Sequence, residues 1–340
     1  MNKTQSPRGW TCVNGGKLAV LCLLPFVAGV QSQNEILLHQ PALKTRPALF
    51  NCSSASSARS FRLTFSPELG YFPLQKNAVP SQKRKLSSRR LIASSAAMIT
   101  VNWIAYHRLN DAWWSEPRTG FHFYRGYHRT RGYFDLAPSD SYFYHLDKAG
   151  HFFSATFMTE SLLTLYNWVG FSESRSRTIA AALTSVLLLE IEIYDGFFQE
   201  WGFSVGDFAA NELGVAWALA QQKSSTLRSI RFKGSYDPLA ELEDDSWLKN
   251  YGAMTFWVTF PIKQWLSPWP AWLDVAIGYG SDRLRHGDLE AYLSLDLNPY
   301  AIIPDDLVVL RPLRSFLTYM HLPFPALQFR PKVKILPYHF

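Results

Sequence analysis

The chain is poor in cysteine: three in 340 residues, Cys12, Cys22 and Cys52, all within the first 52 positions. They form no C-x-x-C pair, so neither a disulfide framework nor a structural zinc site follows. Charge is scarce too. Asp, Glu, Lys and Arg make up 18 % of residues, too few for a disordered or nucleic-acid-wrapping chain. H-E-x-x-H metal spacing and a phosphate-cradling glycine loop are both missing, and no nucleophile or cofactor is assigned.

Aromatic residues are plentiful instead, with 12 Trp, 16 Tyr and 24 Phe. That share suits a chain that meets a lipid interface. The net charge of +7 is distributed in blocks: Lys83, Arg84, Lys85, Arg89 and Arg90; Arg175 and Arg177; Lys223, Arg228, Arg231 and Lys233. Each block flanks an apolar segment, where the topogenic charges of a membrane protein lie. Membrane lipid is therefore the expected partner, together with an envelope protein, and nucleic acid is not.

Residues 1–30 look like a signal segment, with Lys17 ahead of the apolar run 18–30. The run is too short to span a bilayer comfortably. Residues 31–90, rich in Ser, Pro, Ala, Lys and Arg, read as a disordered linker. Four apolar segments follow, at 91–106, 151–171, 178–198 and 205–220. Each approaches the roughly 20 residues needed to cross a bilayer. The expected fold is mainly α, a four-helix membrane-type bundle over 91–222. An aromatic loop at 107–146 would lie at headgroup level or cover helix ends. Behind the bundle, 234–340 reads as a small C-terminal α/β appendage, with strand-like alternation at 273–282 and 290–302 and a short helix at 313–322.

One polar constellation interrupts the apolar segments. Asp147 and His151 stand at i and i+4, so they share a helical face, and Lys148 is next to Asp147. Glu192 and Asp195, three apart, also share one. Asp207, Asn211 and Gly214 follow i, i+4, i+7, and Ser204 is placed to cap their helix. In an antiparallel arrangement all three groups fall at the same end. Ionisable groups in apolar helices are expensive unless they pair or face a cavity. The seven residues are candidates for a buried network that fixes helix register, for a membrane-surface site with His151 as general base, or for a divalent metal site.

The ordered set "DKAGHFFSA", "EIYDG" and "WGFSVGDFAANELG" resembles the YfiM-type family of periplasmic or membrane proteins of unknown function, and is distantly similar to VanZ-like membrane proteins. The resemblance covers roughly residues 100–220. It implies a compact helical envelope domain with Asp147, Lys148, His151, Glu192, Asp195, Asp207 and Asn211 as signature positions. The expected function is that of a bacterial cell-envelope protein, membrane-associated with the inner membrane favoured, acting as an anchor or scaffold. The alternative is a membrane-surface enzyme acting on lipid-linked or phosphate-containing substrates.

Overall fold

The computed structural model describes residues 85–115, 117–125, 145–239, 250–281, 289–304, 306–330 and 332–340. The signal segment at 1–30 and nearly all of the linker at 31–90 lie outside the described residues, as does 126–144 of the aromatic loop.

Five helices come first: α1 Ser88–Ala112, α2 Leu146–Val169, α3 Glu173–Asp195, α4 Val205–Gln221 and α5 Ser225–Ser229. A serine caps each of α1, α3 and α4: Ser87, Ser172 and Ser204 accept from the amides of Arg90, Arg175 and Asp207. The caps satisfy amides that have no intrahelical partner and so fix where each helix starts. α2 starts ahead of the apolar segment at 151, which places Asp147 and Lys148 in its first turn.

Small residues let α2, α3 and α4 approach closely. Ala155, Ala180 and Thr184 are fully buried, and the Thr159 hydroxyl donates to Thr184 at 3.2 Å. At Gly214 a Cβ would lie 2.4 Å from the Phe152 carbonyl oxygen and 2.8 Å from the Ala155 Cβ. Only glycine fits where α4 crosses α2. By contrast α1 leaves Ile92, Ile99 and Trp103 exposed.

The rest of the chain is a six-stranded antiparallel meander: β1 Arg231–Tyr236, β2 Met254–Phe260, β3 Leu273–Ser281, β4 Leu289–Leu297, β5 Phe324–Arg330 and β6 Lys334–His339. α6 Pro299–Ile302 and α7 Arg311–Tyr319 lie between β4 and β5. Met320 pairs with Gly234 along the free edge of β1. The sheet curls until the β6 residue His339 places Nε2 3.3 Å from Thr255 Oγ1 on β2. Trp257 fills the concave side, fully buried, stacked on His321 and bonded through its indole N–H to Ser235. A Cβ at Gly278 would lie 2.6 Å from that indole, so the strand opposite is left bare.

Aromatic side chains join the helices to the sheet. Phe152 meets Phe232 at 4.6 Å between ring centroids, Phe153 meets Phe256 at 5.8 Å, and Trp217 meets Phe232 at 5.3 Å. α2 is thus enclosed by helices on one side and strands on the other.

This architecture corrects the four-helix membrane-type bundle and its transmembrane helices. Among the described residues no helix is long and apolar enough to cross a membrane, and the C-terminal part is a full sheet, not a small α/β appendage. The 151–171 segment is apolar nearly all round because α2 is a core helix covered by protein. The basic blocks have local work as well. Arg90 donates to the Trp168 carbonyl at the end of α2, and Arg228 to the Gln221 and Gln222 carbonyls at the end of α4. Cations at helix C-termini are favourable for that reason alone. Lys233, read as a flanking charge, is buried inside the sheet.

Candidate functional site

The first turns of α2 and α4 and the last turn of α3 meet at one end of the helical body. Lys148 stands between two carboxylates, its Nζ 2.9 Å from Asp147 Oδ2 and 3.1 Å from Asp207 Oδ1. His151 adjoins them. Its Nδ1 is 3.2 Å from Asn211 Oδ1 and 3.6 Å from Glu192 Oε1, and its Nε2 is 3.9 Å from Asp207 Oδ1. Asn211 also directs Nδ2 at Glu192 Oε1, 3.5 Å away. Asp195 turns to the side and accepts from the Trp114 indole at 2.6 Å.

All seven sequence candidates therefore belong to one electrostatic neighbourhood. Glu192 and Asn211 are each 1 % exposed, whereas the His151 side chain keeps 23 % of its surface. Burial pushes the Asp147 carboxyl up to about 6; Asp207 adds to the rise, and Lys148 opposes it. Burial also lifts Glu192 well above the ordinary range, helped by Asp207 and Asp195. Asp195 rises to about 6 by burial, against the indole hydrogen bond. Asp207 goes the other way. Burial would raise it, but His151 and Lys148 together outweigh that and hold it below its ordinary value. Asp207 is the anion of the group, and its neighbours bear the cost of its charge.

Two further features of this end were not read from sequence: Trp114 as the partner of Asp195, and the glycines that flank Ser204. Trp114 is buried and stacks on Tyr194 at 4.9 Å and on Phe198 at 6.2 Å, and Phe121, Phe123, Phe197 and Phe203 form a cluster of their own across the following loops. The described part of the aromatic loop thus covers the helix ends. Gly202-Phe203-Ser204-Val205-Gly206 spells the G-x-S-x-G of a nucleophile elbow. An elbow serine sits strained and exposed between a strand and a helix. Ser204 has φ −90°, is 4 % exposed, and accepts from the Asp207 amide at 2.9 Å. It is a helix cap.

Residues 131–223 match the family described as predicted periplasmic lipoprotein (DUF2279). The matched stretch contains all seven candidates and less than a third of the chain. It makes this part of the chain similar to an uncharacterised periplasmic family and fits a cell-envelope protein of unknown activity. It supports neither the VanZ-like likeness nor the YfiM-type assignment. The chain matches no curated protein and no solved structure.

A second polar group, also missed, lies inside the sheet. Lys233 Nζ is 2.5 Å from Asp296 Oδ2, and His321 Nδ1 is 3.3 Å from Asp296 Oδ1, with all three residues buried. Asp274, opposite Asp296 in the β3–β4 register, is raised to about 7 by burial and by the Asp296 charge. The alternation in "LDVAIGYGSD" and "EAYLSLDLN" carried this signal: Asp274 and Asp296 have the same strand parity as Ala276 and Ser294.

Proposed function

We propose that the protein is a structural component of the cell envelope, an anchor or scaffold whose helical body is locked by the Asp147–Lys148–Asp207 and His151–Asn211–Glu192 contacts. One observation carries the reading: the polar groups close on one another. Lys148 serves two carboxylates, Asn211 joins the imidazole to Glu192, and Asp195 is tied to Trp114. A closed polar network fixes which helix faces meet even where it adds little net stability. The test compares Asp207→Asn and His151→Gln with a deletion strain. Loss of folded protein in both variants, with an envelope phenotype that tracks abundance, supports the lock. Normal abundance with the full deletion phenotype speaks for chemistry instead.

A second reading, a divalent-cation site at the membrane surface serving an enzyme of lipid-linked or phosphate-containing substrates, has one observation in its favour. His151, Glu192 and Asp207 each offer a ligand atom, all within 4.8 Å of one another. An imidazole with two carboxylates suits several divalent ions. Lys148, 3.1 Å from Asp207 Oδ1, already supplies positive charge there, so the lock is the stronger reading. Metal analysis of the purified protein decides between them: one tightly held ion per chain, lost in Glu192→Gln, favours the site, and a metal-free protein of full stability favours the lock.

A further inference from the structure

The sheet buries a polar group beside its Trp257–Tyr292–Ala276–Ala326 core and turns an apolar row outward. In register across its strands runs one outward row: Phe232, Val258, Ile277, Leu293, Leu327 and Ile335. Every member is apolar. The neighbouring inward row holds Lys233, Trp257, Tyr292 and Gln328, with Asp296 and His321 beside it, all buried. At the β1 end the outward row is covered by Phe152 and Trp217 of the helices. From β3 onward most of it is exposed: Ile277 is 53 % exposed, Leu293 39 % and Ile335 83 %, with Leu327 half-buried between them. Val275, Leu295 and Trp269 widen it into a shallow apolar depression of about 390 Å³.

The rims of this face differ in chemistry. The β2–β3 connection presents exposed Trp265, Leu266 and Trp272. The opposite end, at the β5–β6 turn, presents exposed Arg330, Lys332 and Lys334 around the exposed Val333. Indoles favour the level where headgroups meet acyl chains, and clustered basic side chains are drawn to anionic headgroups. The interior carries its own counter-charges, so no ionised group of the inward row has to meet the apolar phase.

We propose that this outward face of β3–β6 seats the protein on a membrane of anionic lipid, with the apolar row in the acyl layer and Arg330, Lys332 and Lys334 on the headgroups. β6 pairs only with β5 among the described residues. An open strand edge does not occur in the hydrocarbon region, so the backbone of β6 stays at headgroup level, only the side chains of the row reach the acyl layer, and the sheet does not cross the bilayer. The attachment is independent of the helical lock and of its role.

The test uses the full chain and vesicles of phosphatidylethanolamine with phosphatidylglycerol. Wild type floats with the vesicles, and binds several-fold less to pure phosphatidylcholine. Ile277→Glu and Leu293→Glu, both at exposed positions, each lower vesicle binding at least about tenfold while melting and circular dichroism stay unchanged. Arg330→Gln with Lys332→Gln and Lys334→Gln removes the preference for anionic lipid. A readout that needs no disruptive variant is a bimane label on a cysteine placed at 335, in a chain whose Cys12, Cys22 and Cys52 are serine. Brominated acyl chains quench it, and they do not quench the same label at 177 on α3. A wild type that stays in the aqueous phase, or Glu variants that float equally well, overturns the proposal. So does a dimer that the Glu variants dissociate without any vesicle binding, which assigns the face to a second copy.

Discussion

Lys148 is the side chain whose removal the network should tolerate least. Lys148→Met keeps the length of the stem and deletes the ammonium between Asp147 and Asp207. Breaking a buried ion pair from one side costs about 3–5 kcal/mol. Lys148 and Asp207 retain 12 % and 13 % of their side-chain surface, so we expect about 2–4 kcal/mol at neutral pH. The pH dependence is the sharper signature. Asp147 already lies at about 6; without Lys148 it climbs further, and Asp207 loses one of the two cations that hold it down. A carboxyl raised on folding makes the folded state hold more protons than the unfolded one, so stability falls as pH rises from the unfolded pKa through the folded pKa. In wild type, Asp207 has the opposite sign. Its depressed pKa contributes stability above about pH 4 that is lost on acidification. The deficit of the variant is therefore already present at about pH 4.5, where wild-type Asp207 is ionised, grows as pH rises towards about 7, and shrinks only below about pH 4 as Asp207 is protonated. Urea unfolding followed by tryptophan fluorescence at about pH 4.5, 6 and 7.5 measures it. A deficit that does not change with pH, or one below about 0.5 kcal/mol at pH 7.5, would refute the reasoning.

Other expectations follow from the same geometry. Asp195→Asn keeps an acceptor for Trp114 and removes a carboxyl raised to about 6. That ionisation costs on the order of 3 kcal/mol at pH 7, so the variant should melt higher than wild type there, and its stability should vary less between about pH 4 and 6; a lower melting temperature at pH 7 counts against it. Gly214→Ala drives a methyl into the Phe152 carbonyl and the Ala155 Cβ and should cost about 1–3 kcal/mol by chemical denaturation; no change would mean that the helices cross more loosely than described. Asp296→Ala strands Lys233 and His321 inside the sheet and should cost about 3–5 kcal/mol, whereas Lys233→Met with Asp296→Leu should recover much of it. An additive double variant would deny that they are a pair.

The helical site was largely legible in sequence, and the sheet was not. Asp207, Asn211 and Gly214 declared a stripe by their i, i+4, i+7 spacing, and Ser204 its cap, because helical periodicity ties spacing to face. What sequence could not tell was what lies outside the helices. α2 is apolar on nearly all sides whether lipid or protein surrounds it, and here Phe232 and Phe256 do. The strands misled for a different reason. Reading assumes that alternation turns its polar side to water, yet in β1, β3 and β4 the inward positions hold Lys233, Asp274 and Asp296. β1 in particular, "RFKGSY", read as a basic flank because two of its six residues are charged. The pairing of Lys233 with Asp296, 63 residues further on, left no local trace.

The helical lock is tested most directly by a double-mutant cycle on Lys148 and Asp207, measured by urea unfolding at pH 7. If the two side chains hold α2 to α4, Asp207→Asn should partly rescue Lys148→Met, with a coupling of at least about 1.5 kcal/mol. Single-variant costs that simply add, to within about 0.5 kcal/mol, would show that this contact does not join the helices.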